Sequence, residues 1–471
     1  MTIASASPRD AFHAGSFRDP DGRVFQHAGR IYRALSPSMR DDWDAVSQSH
    51  FFRRRINSGG VVASELIASF PTAEFLEGNW AGVLAHETLP FIAYPYEWSF
   101  GMLQTAAILQ LELLQDALQE DFILKDATPF NVQFRGTQPV FIDVGSFTRY
   151  APGAPWTAYR QFCMQFLYPL LLQAYRHIDY QPWLRGSLAG ISPTQCRQLF
   201  SWSDLWRRGL FTHVFLHAAM EHHVRVDDLG MSTGLRRSGF DKSLILNNVR
   251  GLLKLVSGLR WRPSRSRWSD YDAGCDSSRD DIREKEDFVR SVASQRRRRL
   301  VWDLGCNVGR YSRIVAEHAD FVVAIDGDSV AVDRLFQELC ADGSERILPL
   351  RINLADPSPS QGWRGCERSD LAGRGKPDLV LCLAVLHHLV LAENLPLPDV
   401  VDWLAELGAS AVIEFVERDD PQVRTLLAQR SDGGHAYSQA VFEEALSARF
   451  RVCEQRRLSC ATRTLYFVEP L

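Results

Sequence analysis

Apolar runs that recur at nearly even intervals along the last third of the chain constrain its fold most strongly. Helix-like segments separate these runs, which span 300–304, 321–325, 347–352, 378–385 and 410–416. Strands that alternate with helices at this spacing form parallel, doubly wound sheets. The pattern therefore predicts a C-terminal α/β domain, and open sheets of this kind bind ligands at the carboxyl ends of their strands.

The first of these strands leads into a loop rich in small residues. In the segment Leu300-Val-Trp-Asp-Leu-Gly-Cys-Asn-Val-Gly-Arg310, Asp303 ends an apolar strand, and three residues precede a helix, namely Gly305, Asn307 and Gly309. Glycine lets the backbone turn tightly and approach a ligand that a Cβ atom would displace. Asp303 would hold this loop or reach an ammonium group of the ligand. On the evidence of the loop alone, the alternative is an ordinary strand-to-helix turn that binds no ligand.

A carboxylate at the end of the next strand indicates what kind of ligand the loop holds. Asp326 follows the apolar run and lies 23 residues after Asp303. At this spacing a carboxylate can accept hydrogen bonds from both hydroxyls of a ribose. Dinucleotide-binding proteins share this geometry, but their loops carry a third glycine, and this chain has Ser312 in that region. The pattern predicts a nucleoside-type ligand other than a dinucleotide.

The D-x-G-x-N-x-G loop resembles motif I of class I S-adenosylmethionine-dependent methyltransferases, and the resemblance extends from Arg299 to Leu471. It implies a Rossmann-like methyltransferase domain with S-adenosylmethionine as its cofactor. It also implies which residues contact the cofactor, namely Asp303, Gly305, Asn307, Gly309, Asp326, Asn353 and Leu354. Asn353 and Leu354 fall at the end of the family's third strand, where a polar residue contacts the adenine.

Three further segments indicate a subgroup within this methyltransferase class. PSPSQGW at 357–363, LHHL at 386–389 and DDPQV at 419–423 resemble a bacterial subgroup that is compared with rhizobial nodulation proteins. The segment from Pro377 to Leu389 resembles the fourth strand of the family and the motif after it, and Glu414 ends the fifth strand. The resemblance implies methyl transfer to an acceptor that it does not identify.

Two adjacent histidines, His387 and His388, are the candidate catalytic residues. An imidazole titrates near neutral pH and can act as a general base. Methyl transfer is an in-line displacement at a sulfonium, so the enzyme mainly aligns its reactants, and a base is needed only for a poorly nucleophilic acceptor. In the alternative interpretation, one histidine packs beneath the cofactor and the other is a core residue.

Lys285 is a further candidate for cofactor binding. It lies on a charged amphipathic helix predicted over 280–295. The resemblance places this helix over the cofactor, where Lys285 could pair with the cofactor carboxylate. A lysine that is simply solvated on the helix surface is the alternative.

A second resemblance lies upstream. Asp126 is followed by Asn131 five residues later, and Asp143-Val-Gly begins twelve residues beyond that. This spacing resembles the catalytic loop and the metal-binding D-x-G of protein-kinase-like phosphotransferases, in which a catalytic carboxylate stands beside two metal ligands. It implies an N-terminal α+β kinase-like domain in which Asn131 and Asp143 would hold Mg²⁺ if ATP binds.

The N-terminal segment also departs from the kinase pattern. No lysine precedes Lys125, so Arg33 is the nearest substitute for the strand lysine that faces the phosphates, and no G-x-G-x-x-G occurs in the opening segment. Lys125 replaces the arginine that usually precedes the catalytic aspartate. Three interpretations stay open: a kinase-like module that binds substrate or nucleotide, a bifunctional kinase and methyltransferase, and a non-catalytic scaffold or regulatory module.

Length and composition set the remaining expectations. A chain of 471 residues is longer than a single hydrophobic core usually supports. We predict a kinase-like domain over 1–225, a linker and cofactor-covering segment over 226–280, and the methyltransferase domain over 281–471.

Charge and cysteine content set the expected partners and compartment. The net charge of −4 creates no long-range electrostatic field that would attract nucleic acid. The opening residues lack the apolar stretch of a signal peptide. Nine cysteines without a C-x-x-C pair favour a reducing compartment. We expect a cytoplasmic protein that acts on a small molecule or glycan and binds neither nucleic acid nor membrane.

Overall fold

The computed structural model describes residues 12–68, 78–224, 242–263, 279–428, 434 and 437–471. A four-stranded antiparallel sheet opens the chain in the order β1-β2-β4-β3. Its strands are β1 (Gly22–His27), β2 (Arg30–Leu35), β3 (Ser64–Leu66) and β4 (Gly82–His86). The turn between β1 and β2 places Ala28 and Gly29 at φ angles of 47° and 78°, the left-handed pair that a tight hairpin requires. A tight hairpin therefore joins β1 and β2.

Helices make up most of the remaining N-terminal half. The longest, α3, is N-capped by Ser99, whose side chain accepts a hydrogen bond from the Met102 amide, and most of its residues are buried. The helices up to residue 224 are α1 (Pro37–Val46), α2 (His50–Asn57), α3 (Phe100–Gln119), α4 (Tyr159–Phe162), α5 (Tyr168–Arg176), α6 (Gln181–Gly186), α7 (Pro193–Gln198) and α8 (His217–Val224). Between α3 and α4 lie two short antiparallel pairs, formed by β5 (Phe122–Leu124), β6 (Val132–Arg135), β7 (Gln138–Phe141) and β8 (Phe147–Arg149). The kinase-like assignment of this half stays a prediction.

Part of the predicted linker is helical. Helix α9 (Lys242–Gly258) lies within 226–280 and packs against α3. Its buried residues follow helical spacing and include Ile245, Val249, Leu252 and Val256, which gives the helix an apolar face. Residues 242–258 therefore pack with the N-terminal half, and the predicted domain boundaries stay a prediction.

The C-terminal half contains a seven-stranded sheet in the order β11-β10-β9-β12-β13-β15-β14. Its strands are β9 (Arg298–Leu304), β10 (Ala319–Asp326), β11 (Ile347–Arg351), β12 (Leu379–Cys382), β13 (Ser410–Val416), β14 (Phe450–Arg457) and β15 (Arg463–Pro470). Its helices are α10 (Arg279–Ser294), α11 (Arg310–Ala316), α12 (Ser329–Ala341), α13 (Leu397–Glu406), α14 (Pro421–Leu427) and α15 (Gln439–Arg449). Strands β9 to β13 pair in parallel, so the predicted doubly wound α/β fold and its five strands are confirmed.

The sheet contains two strands beyond the five predicted. β15 runs antiparallel between β13 and β14, and its residues 463–468 are buried. β14 forms the sheet edge and is mostly exposed, with the sequence FRVCEQRR, so it shows no continuous apolar run. The strand order changes direction between β9 and β12, which makes the carboxyl ends of these two strands the switch point where open sheets bind ligands.

The two halves share one hydrophobic core. The rings of Phe91 and Trp302 lie 6.1 Å apart, and those of Phe134 and Phe336 lie 6.2 Å apart. The amide of Gly101, in the first turn of α3, donates a hydrogen bond of 2.7 Å to Asp333 Oδ1 on α12. α3 therefore packs against α12, which lies on the sheet beside β10 and β11. Within the described ranges, no helix combines the length and hydropathy needed to cross a membrane.

Candidate functional site

The loop after β9 adopts a conformation that its small residues permit. Gly305, Asn307 and Gly309 have φ angles of 75°, 49° and 78°, and among residues with a side chain asparagine is one of the few that enter this region readily. A Cβ atom on Gly305 would lie 2.2 Å from Val385 Cγ2. The amides of Gly305 and Cys306 both donate to the Ile325 carbonyl, at 2.8 and 3.0 Å. The loop is thereby folded against the end of β10.

Asp303 lies behind this loop. Its side chain is buried, and its Oδ2 accepts a hydrogen bond of 2.5 Å from Ser312 Oγ on α11. Burial raises the pKa of Asp303 to about 7, because a low-dielectric environment disfavours the charged carboxylate. The contact fits the first of the two predicted roles, holding the loop, since Asp303 does not line the adjacent cavity.

Asp326 ends β10 and fixes the loop from the other side. Its Oδ2 accepts a hydrogen bond of 2.8 Å from the Asn307 amide, and its Oδ1 accepts one of 2.9 Å from the Asp328 amide. Burial raises the pKa of Asp326, and the hydrogen bonds from these amides oppose that rise. Each carboxylate oxygen keeps a further lone pair, so the side chain can still accept hydrogen bonds from a ligand.

Asp326 and the loop after β9 face a cavity of about 640 Å³ at the switch point of the sheet. Six residues predicted from the sequence to bind the cofactor line it: Lys285, Gly305, Asn307, Asp326, Asn353 and Leu354. Gly309 stands outside the wall, where a Cβ atom would lie 2.6 Å from Leu335 Cδ1, so it sets the packing of α11. A volume of this size is typical of small-molecule sites.

A group of buried charges closes the cavity beside β13. Lys285 Nζ lies 2.6 Å from Glu414 Oε1, and Arg463 Nη1 lies 3.3 Å from the same oxygen. Arg463 Nε is also 2.9 Å from Asp420 Oδ2. Among the described residues, no group hydrogen-bonds Glu414 Oε2, which is buried. Paired charges lower the cost of burial, and one carboxylate oxygen is left to take a hydrogen bond from a ligand.

The two predicted catalytic histidines occupy different environments. His388 lines the cavity and begins a π-helical turn, His388–Ala392, a distortion that is frequent at functional sites. His387 is completely buried and does not line the cavity. Burial and the neighbouring His388 lower the pKa of His387 well below its usual value. The prediction that His387 could act on a substrate is therefore corrected, because its ring is held in the core.

Several residues of the cavity wall were not expected from the sequence. His177 and Asp179 come from the N-terminal half, Trp261 and Pro263 come from the segment after α9, and Arg463 comes from β15. His177 follows α5 with a φ angle of 55°, which is uncommon for a residue with a side chain. No local pattern marks these residues, because only the packing of the two halves brings them to the cavity.

The kinase-like residues also come together. Asn131 Nδ2 donates a hydrogen bond of 3.2 Å to Asp143 Oδ2, and Arg33 Nη1 lies 2.9 Å from Asp143 Oδ1. Burial, and secondarily the charge of Asp143, raise the pKa of Asp126. Both oxygens of Asp143 thus have protein partners. Mg²⁺ at Asn131 and Asp143 stays a prediction, and the ion would have to displace Arg33 from Asp143 Oδ1.

The chain resembles a known protein along its whole length. No protein-family model matches it. It is 36% identical over 478 residues to the nodulation protein NoeA of Rhizobium meliloti (strain 1021), covering 99% of this chain and 98% of that protein.

Solved structures that resemble part of the chain include the N-methyltransferase NodS from Bradyrhizobium japonicum WM9, with 15% identity, a TM-score of 0.31, and coverage of 41% of this chain and 99% of that one. Another is magnesium protoporphyrin IX methyltransferase from Synechocystis PCC 6803 with bound SAM, with 19% identity, a TM-score of 0.30, and coverage of 44% and 87%. The full-length match is the one that identifies the family. The chain belongs to the family of the nodulation protein NoeA.

Proposed function

We propose that this protein is a cytoplasmic enzyme that transfers the methyl group of S-adenosylmethionine to a small-molecule or glycan acceptor. The observation that carries the proposal is the cavity at the switch point, where a left-handed glycine loop meets the Asp326 carboxylate. NoeA is described as a nodulation protein, and the proposal places this chain in the same process. Nucleic acid and membranes are not among the proposed partners.

The residues present fit S-adenosylmethionine at the nucleoside end. Asp326 can accept hydrogen bonds from the ribose hydroxyls, and Asn353 and Leu354 stand beside it for the adenine. A Cβ atom on Gly305 would collide with Val385. The glycine therefore lets the loop after β9 pack against Val385 at the cavity wall.

At the opposite end of the cavity, beside Lys285 and Glu414, the amino-acid part of the cofactor would meet the acceptor. Asp326 on β10 and Glu414 on β13 are separated by β9 and β12, which amounts to roughly 14 Å at about 4.8 Å per strand. S-Adenosylmethionine, when bound, supplies an electrophilic methyl group on a sulfonium sulfur. The free Oε2 of Glu414 would accept a hydrogen bond from an N–H or O–H group of the acceptor, orient its lone pair and take its proton. His388, on the same wall, is the second candidate for this role.

The N-terminal half has a different role in this proposal. Arg33 and Asn131 already occupy the Asp143 carboxylate, so we assign this half to substrate presentation and to completing the cavity. Phosphate transfer is the competing function, favoured by the convergence of Asn131 and Asp143. The thermal stability of the full chain with ATP, with and without Mg²⁺, separates the two. A Mg²⁺-dependent shift that Asp143→Asn abolishes would favour phosphate transfer.

Calorimetry on the full chain with S-adenosylmethionine and S-adenosylhomocysteine tests the methyltransferase assignment. Asp326→Asn should weaken binding about 10- to 100-fold, because hydrogen bonds to a charged group are worth roughly 1.5–3 kcal/mol. Asp320→Asn is the matched control, since Asp320 is exposed and pairs with Arg297 at the surface. A folded wild-type protein that binds neither compound would overturn the proposal. Metabolite profiles of cells with and without the protein, compared for a difference of one methylene group, would then identify the acceptor.

A further inference from the structure

The wall of the cavity at its nucleoside end is built by both halves of the chain. Asp179, between α5 and α6, receives a hydrogen bond of 2.7 Å at Oδ2 from Ser329 Oγ, at the start of α12. Arg351 Nη2, at the end of β11, lies 3.7 Å from the same oxygen. Gln173 Nε2 on α5 donates to Asp179 Oδ1 at 3.2 Å. Asp179 thus ties the N-terminal half to the ends of β10 and β11.

These contacts hold Asp179, two residues after His177, at the end of β11, which is close in sequence to the predicted adenine residues. Arg351 is two residues from Asn353 in sequence, and both line the cavity together with His177 and Asp179. The side chain of His177 is exposed to the cavity rather than buried in the core. His177 ends α5 in a left-handed conformation, with a φ angle of 55°, and its amide donates to the Gln173 carbonyl. This conformation is common at helix C-termini, and it turns the chain toward Asp179.

A flat aromatic ring completes the same wall. Trp261 lies 6.2 Å from Phe100 between ring centroids, and the next residue, Gly101, donates its amide to Asp333 on α12. Trp261 is therefore anchored on the side of the sheet that carries β10 and β11. An indole face and an imidazole, which has both a donor and an acceptor nitrogen when neutral, match an adenine, which has a flat face and a donor–acceptor edge.

We propose that the N-terminal half supplies part of the base-recognition site for the cofactor, with His177 contacting the adenine and Asp179 as the positioning residue that holds this wall against β10 and β11. The inference rests on the proposed function and deepens it. It means that the methyltransferase site is incomplete without residues from the N-terminal half.

Two ligands test the inference on the full chain. S-Adenosylhomocysteine contains both the nucleoside and the amino acid, whereas 5′-methylthioadenosine lacks the amino acid. His177→Ala should weaken both ligands by the same factor, roughly 3- to 10-fold, the value of one neutral hydrogen bond. Asp179→Ala should weaken both, and Asp179→Asn, which keeps an oxygen acceptor for Ser329, should restore part of the loss. His50→Ala is the matched control, since His50 is an exposed residue that does not line the cavity.

Each outcome decides between the proposals. Wild-type affinity in both His177→Ala and Asp179→Ala would overturn the inference while leaving the methyltransferase assignment intact. A loss in His177→Ala that is confined to S-adenosylhomocysteine would also overturn it, because His177 would then lie at the amino-acid end. Failure of the folded wild-type protein to bind S-adenosylhomocysteine would instead remove the proposed function, and the inference with it. Thermal unfolding of each variant, expected within a few degrees of wild type, excludes a general loss of structure.

Discussion

Arg374 and Glu97 form a buried ion pair that joins the two halves of the chain, with Nη2 of the guanidinium 2.6 Å from Oε1 of the carboxylate. The second guanidinium nitrogen, Nη1, lies 2.6 Å from Oε2, which makes the pair bidentate. Ser358 Oγ and the Tyr94 amide donate to the same carboxylate at 2.5 and 2.8 Å. The side chains are only 2% and 1% exposed, so each charge depends on the other for its solvation.

Removing one partner should therefore be costly. Glu97→Gln leaves the Arg374 guanidinium buried without a counter-charge, and we expect the free energy of unfolding to fall by about 3–5 kcal/mol. Urea or guanidinium unfolding of the full chain measures this change. Asp419→Asn, which breaks an exposed pair with Arg424, should cost less than about 1 kcal/mol. Equal costs in the two variants would show that the Glu97 pair does not bear on the stability of the interface.

The loop after β9 gives a second prediction. Gly305→Ala should abolish measurable binding of S-adenosylhomocysteine, because the added methyl group would lie 2.2 Å from Val385 Cγ2 at a φ angle of 75°. Gly343→Ala is the control, since it has a similar φ angle of 63° and nothing within 4 Å of the added atom. The Gly343→Ala variant has the free-energy cost of a left-handed backbone in an alanine, about 1 kcal/mol or more, but no steric clash. Calorimetry on both variants should find the binding defect in Gly305→Ala and not in Gly343→Ala.

A double variant separates the clash from the backbone conformation. Val385→Ala removes the methyl group at 2.2 Å, which leaves Val385 Cβ at 3.6 Å from the added atom as the nearest contact. Gly305→Ala combined with Val385→Ala should therefore recover part of the binding. If the double variant binds no better than Gly305→Ala alone, the left-handed conformation, rather than the contact with Val385, explains the need for glycine.

The sequence predicts those parts of the site that lie close together along the chain. Asp303, Gly305, Asn307 and Asp326 belong to one strand–loop–helix–strand unit, so their spacing fixes their relative positions, and the structure brings the last three to one cavity. The apolar runs of the five parallel strands predict the sheet for the same reason. Sequence spacing predicts the positions of these residues because neighbouring parallel strands have their carboxyl ends at the same edge of the sheet.

Other residues depend on packing that no local pattern encodes. Asp179 and Ser329, and likewise Glu97 and Arg374, meet only because α3 and its neighbours lie against the C-terminal sheet. His387 is buried whereas His388 lines the cavity. This difference depends on the orientation of a single π-helical turn, which the neighbouring residues in the sequence do not specify. For residues 126–143 the spacing predicts the cluster, but the partners of Asp143 decide its chemistry. Those partners include Arg33, from a strand more than a hundred positions upstream.

Asp303 should make stability depend on pH. Burial raises its folded pKa to about 7, above an unfolded value of 3.8, so between these values only the folded chain keeps the proton. Its contribution to stability is fully present below pH 3.8 and is lost as pH rises toward 7. Asp303→Asn removes this titration and retains an oxygen acceptor for Ser312. Between pH 5 and pH 8, wild type should therefore lose roughly 2–3 kcal/mol relative to the variant in denaturant unfolding. A constant difference between the two proteins across this range would contradict a buried, protonated Asp303.

Lys285 allows the amino-acid end of the cavity to be tested without an acceptor. Its ammonium lines the cavity and pairs with Glu414 Oε1 at 2.6 Å, and two of its three hydrogens can be directed to a cofactor carboxylate. Lys285→Met should weaken S-adenosylhomocysteine about 10-fold or more, since a charged hydrogen bond is worth roughly 1.5–3 kcal/mol. It should leave 5′-methylthioadenosine, which has no carboxylate, unchanged. Lys254→Met, an exposed change on α9, is the control for the loss of a positive charge. Equal weakening of both ligands in Lys285→Met would show that Lys285 acts by holding Glu414 in place, whereas unchanged binding of both would assign the cofactor carboxylate to another cation such as Arg310, which also lines the cavity.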